Sequence, residues 1–398
     1  MSALPPLSLY LHFPWCVSKC PYCDFNSHAL RGDLPEQRYV AALVADLAAQ
    51  VARLDDERPL TSIFMGGGTP SLFTPASIAS LLDATRSLLP FMADIEITLE
   101  ANPGTIERGR FEGYRQAGVN RVSLGAQSFD SEQLRRLGRI HSPDETRRAA
   151  EELHAAGLAN FNIDLMFALP GQSPEAAERD VAAALALAPQ HLSHYQLTLE
   201  PGTVFAAEPP PDLPTEDSAI EALQRCQQRL SAAGFERYEV SAYAQDGARC
   251  QHNLNYWAFG DYLGVGAGAH GKLSWIDAGE SLQIERTTAW REPRRYLAEQ
   301  PAVLARTRVA AAQRPFEFML NGLRLTDGFT IDQFERRSGL GWERVAAAID
   351  RLAAQGLVEI DRGAAAAATR IRPGERGLAF LNTALLEFLP ESSSTTIT

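Results

Sequence analysis

The chain has 398 residues, 45% of them hydrophobic and 22% charged, with a formal net charge of −12. That length supports a large buried core in two or three domains, and the composition is that of a soluble globular enzyme. The acidic balance argues against a nucleic-acid partner, no apolar run approaches the roughly 20 residues of a membrane span, and the first nine residues carry no basic leader, so a cytoplasmic protein is expected.

Short β-rich runs alternate with helical patterns through the first half. Strands are predicted at 9–13, 62–65, 94–99, 121–124, 161–165 and 191–197, and helices at 39–54, 78–88, 145–156 and 174–187. Six strand–helix units imply a parallel sheet that either closes into a barrel or lies open. The polar residues choose between these. The segment from Cys16 to Cys23, Gly66 to Pro70, Glu100, Gln127, Asp164 and Thr198 all fall at or just beyond a strand's C-terminal end, and in a (β/α) barrel those ends share one mouth. The expected fold is therefore α/β, a partial (β/α)6 barrel over residues 1–235.

A Pro-rich stretch at 200–214 reads as a loop over that mouth, followed by a helix near 218–233. Residues 236–314 read as a connecting region. Its glycines at 264, 266, 268 and 271 permit either close backbone approach to another group or a tightly packed strand. From 315 the pattern changes to helices at 316–325, 331–334 and 342–355, strands at 357–360 and 369–372, and a last helix over 374–389. This describes a mostly helical, winged-helix-like domain at 315–390 with a disordered tail at 391–398. Residues 314–398 carry ten Lys+Arg against eleven Asp+Glu, too little positive charge to collect counterion-release energy from phosphates. The domain is expected to be structural or to contact a protein partner.

The most specific chemistry lies in Cys16, Cys20 and Cys23. A C-x3-C-x2-C array puts three thiolates on one loop, which suits a [4Fe-4S] cube with one iron left open. Structural zinc normally takes four ligands in paired motifs, and no second pair exists, because Cys226 and Cys250 are far apart; His12 or His28 could serve as a fourth ligand but no spacing signals it. A disulfide suits three thiols poorly.

Paired with Gly66-Gly67-Gly68-Thr69-Pro70 one strand later, the cysteine loop resembles that of the radical S-adenosylmethionine (SAM) enzymes. The resemblance implies that the three cysteines hold the cube, that SAM chelates the open iron, and that an electron delivered by a donor cleaves SAM to a 5′-deoxyadenosyl radical. Glycines would let backbone groups reach the SAM ammonium and Glu100 would balance its charge. More narrowly, residues 10–14, 123–129, 137–141 and 162–166 are similar to the oxygen-independent coproporphyrinogen oxidase group. That similarity implies SAM contacts at Tyr10, Tyr22, Gly67, Gly68, Thr69, Glu100, Gln127, Arg139 and Asp164, with Tyr22 covering the adenine.

Two departures separate the chain from the oxidases of that group. They carry a further cysteine two residues after the third, where this chain has Phe25, and a longer segment before the cluster. Both departures resemble the haem-chaperone branch of the group, which is also marked by His-Asn-x-x-Tyr-Trp, here His252, Asn253, Tyr256 and Trp257. The resemblance implies haem binding, with His252 the first candidate ligand and Cys250 the second, aromatic stacking on the porphyrin, and transfer of haem to acceptor haemoproteins. Coproporphyrinogen oxidase activity is the rival and is not expected of this scaffold. Any membrane contact is expected only peripherally, through acceptor proteins. An arginine could grip a haem propionate, but the sequence does not choose which.

Overall fold

The computed structural model describes residues 4–54, 56–104, 109–299 and 302–390. Six strands carry the first half: β1 (Leu7–Phe13), β2 (Leu60–Gly67), β3 (Phe91–Ala101), β4 (Arg121–Gln127), β5 (Phe161–Phe167) and β6 (His191–Gln196). They pair in parallel in chain order, with helices such as Glu36–Val51, Pro75–Leu88, Pro143–Ala155 and Pro174–Leu185 between them. The helix starts follow local chemistry. Thr74, Ser142 and Ser173 each accept a hydrogen bond from the backbone three residues on, and Ser142 with Glu145 forms a reciprocal capping box.

Alternation along the strands sorts the side chains. Leu7, Leu9 and Leu11 of β1, Ile63 and Met65 of β2, Val122 and Leu124 of β4, and Ile163 and Leu165 of β5 pack with Leu43, Leu47, Ile78, Leu81, Leu153 and Val181 of the helices in one large core. The residues between them, among them Tyr10, Phe64, Thr98, Arg121, Ser123, Asn162 and Asp164, line the interior of the curled sheet.

Residues 236–314 extend this sheet at both edges. Past β6 lie the short strands Ala242–Ala244 and Glu236–Arg237. On the other side β7 (Asp261–Val265) joins β1 as a seventh parallel strand, and β8 (His270–Ile276), β9 (Leu282–Ala289) and β10 (Val303–Arg308) continue antiparallel. The strand order is linear, so the barrel stays open. The glycine-rich run is thus a packed strand and turn. A Cβ at Gly264 would sit 1.8 Å from the His270 carbonyl oxygen, and one at Gly266 2.5 Å from that of His12. The Pro-rich stretch does lie against the cysteine loop, where it contains the one-turn helix Val204–Ala207 and Phe205 N–H donates to Pro21 O.

The C-terminal domain has helices Arg314–Gly322, Ile331–Ser338 and Ala346–Ala354 beside a three-stranded sheet of Phe329–Thr330, Arg370–Pro373 and Val358–Asp361. The last helical stretch is interrupted at Phe380 into Glu375–Ala379 and Leu381–Leu385. Its core includes Phe259, Ile284 and Val309 from the sheet extension, so the two halves share one apolar boundary. The tail at 391–398 lies outside the described residues. Among the described residues no helix is long and apolar enough to cross a membrane.

Candidate functional site

The cysteine loop leaves β1 at Pro14. Trp15–Cys16 pairs in parallel with His28–Ala29, and Lys19 Nζ donates to the carbonyls of Phe25 and Ser27 at 3.2 and 3.0 Å, closing the loop. Cys16, Cys20 and Cys23 are free thiols, half-buried, and all three line a cavity of about 300 Å³ at the barrel mouth. Burial pushes the Cys16 thiol up, partly offset by a hydrogen bond with Thr69. Among the described residues no three His, Cys, Asp or Glu side chains close up as they would around a single ion. Three thiol donors on one loop, all lining one cavity, fit an iron–sulfur cluster.

The glycine turn is stitched to this loop. Gly68 N–H donates to Phe13 O at 2.7 Å and Thr69 N–H to Trp15 O at 2.8 Å. A Cβ at Gly67, whose φ is +106°, would lie 2.2 Å from the His12 ring, and one at Gly68 would lie 2.6 Å from two carbonyl oxygens. Close approach of chain to chain already demands these glycines. His12 itself is engaged by Tyr10 Oη and the Asn26 carbonyl, each at 3.0 Å, and burial lowers its pKa to about 4.

Gly67 N–H donates to Glu100 Oε2 at 3.0 Å. Burial first, then the neighbouring Asp164 carboxylate, pushes Glu100 up to about 8. Asp164 is also raised by burial, although Asn162 and Ser123 donate to it at 2.7 and 3.1 Å. Two carboxyls crowded into one enclosed wall fit a cationic ligand such as the ammonium of SAM. Arg139 Nη2 donates to Asn102 Oδ1 and Gly125 O, both at 2.6 Å, and Nη1 points at Cys20 Sγ at 3.8 Å. Asn102 in turn donates to Thr69 Oγ1 at 2.8 Å, and Tyr195 donates to Gln127 Oε1 at 2.7 Å.

Tyr22, Gly67, Gly68, Thr69, Glu100, Gln127, Arg139 and Asp164 therefore share the cavity of the three cysteines. Tyr10 does not line it. Asn102, Ser123, Met166 and Tyr195 line it too; Ser123 and Met166 stand at the ends of the motif runs 123–129 and 162–166 and Asn102 two residues past Glu100, yet none stands out in sequence as a site residue, and Tyr195 carries no motif signal.

Tyr10 instead lines a second cavity of about 320 Å³ deeper in the barrel, with His252, Asn253, Tyr256 and Trp257; Glu100, Ser123 and Asp164 border both. The helix Gln251–Trp257 forms its far wall. Glu96 from β3 accepts the backbone N–H groups of Gln251 and His252, each at 3.1 Å, a carboxylate set on a helix N-terminus. His252 is 2% exposed, lies 5.1 Å from the Phe64 ring and 4.9 Å from that of Tyr256, and burial lowers its pKa to about 3. Its Nδ1 meets Ser62 Oγ at 3.0 Å. Thr61 donates to Leu7 O and Ser62 donates to Ser8 Oγ, which spends the Ser62 proton and leaves its oxygen to accept Nδ1–H. Nε2 then carries the lone pair, and it has no partner among the described residues. A neutral imidazole with an unused nitrogen in a cavity fits a metal ligand. Cys250 Sγ, by contrast, is turned to Glu96 Oε1 at 3.5 Å, and burial raises its pKa to about 12.

A thiol loop, a glycine turn and a carboxylate pair at the mouth of a partial barrel define the scaffold of a radical SAM protein, and comparison with known proteins agrees. The Radical SAM superfamily profile matches residues 10–184 and the HemN C-terminal domain profile matches residues 309–379. The heme chaperone HemW of Escherichia coli K12 is 48% identical over 98% of this chain and 100% of its own length, and that of Haemophilus influenzae is 46% identical over the same shares. The mouse mitochondrial radical S-adenosyl methionine domain-containing protein 1 is 36% identical over 98% of this chain and 89% of its own. The chain belongs to the HemW family. Coproporphyrinogen III oxidase (HemN) from Escherichia coli superposes with a TM-score of 0.77, covering 97% of this chain and 90% of that one, and at 22% identity it shows the shared fold.

Proposed function

We propose that this protein binds haem at His252 and passes it to acceptor haemoproteins, with a [4Fe-4S] cluster on Cys16, Cys20 and Cys23 and SAM in the mouth cavity. The observation that carries the reading is the unpartnered, neutral Nε2 of His252, a residue that lines the inner cavity, in a chain of the HemW family. SAM is taken to lie against Tyr22, Gly67, Gly68, Thr69, Glu100, Gln127, Arg139 and Asp164, with Tyr10 contributing from below. Cluster and SAM together supply one-electron reduction and, if SAM is cleaved, a carbon radical. The chain's own part is to orient: Arg139 ties the cysteine loop to Asn102, and Glu100 and Asp164 offer negative charge to an ammonium group.

Tyr256 and Trp257 supply aromatic walls to the cavity that His252 and Asn253 also line. The helix Gln251–Trp257 forms one wall of this cavity, and haem is taken to reach His252 past it. The electron donor and acceptors act on the cytoplasmic protein, and residues 1–235, 236–314 and 315–390 serve as barrel, haem-bearing connection and partner-contacting domain.

The test is anaerobic reconstitution, haem titration followed in the Soret band, the same titration with His252→Ala, and a coproporphyrinogen turnover assay alongside. Stoichiometric haem binding, lost in the variant, and no turnover are expected. Turnover without haem binding would overturn the reading in favour of the oxidase.

A further inference from the structure

The same cavity holds one arginine. Arg121, the first residue of β4, is 1% exposed and uses Nη1 to donate to Asn160 Oδ1 at 2.7 Å and Ala248 O at 3.0 Å, with Glu96 Oε2 at 3.8 Å. Its Nη2 is buried and has no partner among the described residues. Thr98 stands opposite Arg121 in the register of β3 and β4, and its Oγ1 is likewise buried and unpartnered. Both residues line the His252 cavity. Glu96 Oε2 lies 3.8 Å from Nη1, beyond hydrogen-bond reach, and leaves Nη2 without a partner among the described residues.

An unfilled guanidinium N–H beside an unfilled hydroxyl is a pair of donors suited to an anion with two oxygens. Leaving both dry would cost the desolvation of each. The opposite, mouth-side end of the cavity carries the carboxyls of Glu100 and Asp164, and the guanidinium of Arg121 lies at the base of β4.

We infer that Arg121 and Thr98 form a carboxylate-binding site, and that the carboxylate is a propionate of the haem whose iron is held by His252. This rests on the proposed haem binding and adds an orientation: a propionate edge points to the N-terminal ends of the strands, away from the cysteine loop. A free carboxylate is the other source of the same chemistry, and the experiment separates them.

Haem and haem dimethyl ester, which lacks both carboxylates, are titrated into the reconstituted wild type, Arg121→Gln and Thr98→Val. Wild type is expected to bind the ester about tenfold or more weakly than haem, the loss of a charged hydrogen-bonded pair. Arg121→Gln brings haem down to the level of the ester and leaves the ester unchanged; Thr98→Val, which keeps the side-chain shape, weakens haem several-fold and spares the ester. Equal binding of haem and ester by wild type rules out the propionate. A parallel titration with carboxyl-labelled propionate ion, read by carbon NMR, tests the anchor without haem. Saturable propionate binding lost in Arg121→Gln supports the carboxylate site even if haem does not bind, which sinks only the haem reading. No saturable propionate binding together with equal haem and ester affinities means that water fills the cavity, and the inference is overturned.

Discussion

Glu100 shows how one side chain can hold a site ready for a cation at a cost to the ligand-free fold. Among the described residues its hydrogen bond comes from Gly67 N–H, and the charge that raises it further is another carboxylate, Asp164. With the folded pKa at about 8 against an ordinary value of 4.5, the folded state keeps a proton that the unfolded chain has released over that interval. Stability of the SAM-free protein therefore falls as pH rises from about 4.5 to about 8, and levels off above. Glu100→Gln keeps an oxygen for Gly67 N–H and cannot ionise. The expected result is a flatter melting-temperature profile between pH 5 and 8, with the variant more stable than wild type at pH 8 and SAM binding weakened. Parallel profiles for the two proteins would show that Glu100 is already ionised and paired.

The element that bears the proposed haem ligand is also short. The helix Gln251–Trp257 has seven residues, too few to stand alone, and is held by Glu96 at its N-terminus and by the ring contacts of His252 with Phe64 and of Tyr256 with Tyr262. Glu96→Gln removes the charge that faces both the helix N-terminus and Arg121. A stability loss of about 1–2 kcal/mol is expected, with faster amide hydrogen exchange in the helix. Haem association should speed up in this variant if the helix is the moving wall. Faster exchange with an unchanged association rate would place the entry route elsewhere. This helix was opaque to sequence reading except through its His-Asn-x-x-Tyr-Trp signature, since a seven-residue segment offers only two turns of periodicity. The strands were legible because their outward faces are Leu, Ile, Val and Met, whereas their inward polar positions, Thr98, Arg121, Asn162 and His191, look in sequence like breaks in an apolar run. Attention to strand ends found the mouth cavity and passed over the one beneath it. The seventh strand, Asp261–Val265, stayed ambiguous because its glycines answer to contacts that only the pairing reveals.

At the scale of the molecule, the C-terminal domain is fastened to the helix Gln251–Trp257 and its flanks. Arg324 lies 4.3 Å over the Trp257 ring and 3.1 Å from Glu239, Arg337 donates to the Ala258 carbonyl, and Arg249 pairs with Asp327 at 2.7 Å. The apolar counterpart is Phe259, two residues past Trp257, whose ring lies 5.6 Å from Phe318. Phe318 is also in contact with Phe329 at 4.9 Å and Phe334 at 5.1 Å, so it joins the domain's helices, its small sheet and the end of the haem-side helix. If the helix Gln251–Trp257 opens to admit haem, the packing of the C-terminal domain against it would act as a brace on that opening. Phe318→Ala leaves a cavity at this junction and is expected to cost about 3–5 kcal/mol. If the brace is real, hydrogen exchange in residues 251–257 rises together with that of the C-terminal domain, while SAM affinity at the distant mouth changes little. A C-terminal domain that melts early and alone, with exchange in residues 251–257 unchanged, would mean that the domain merely rests on the barrel and leaves haem access to the barrel's own elements.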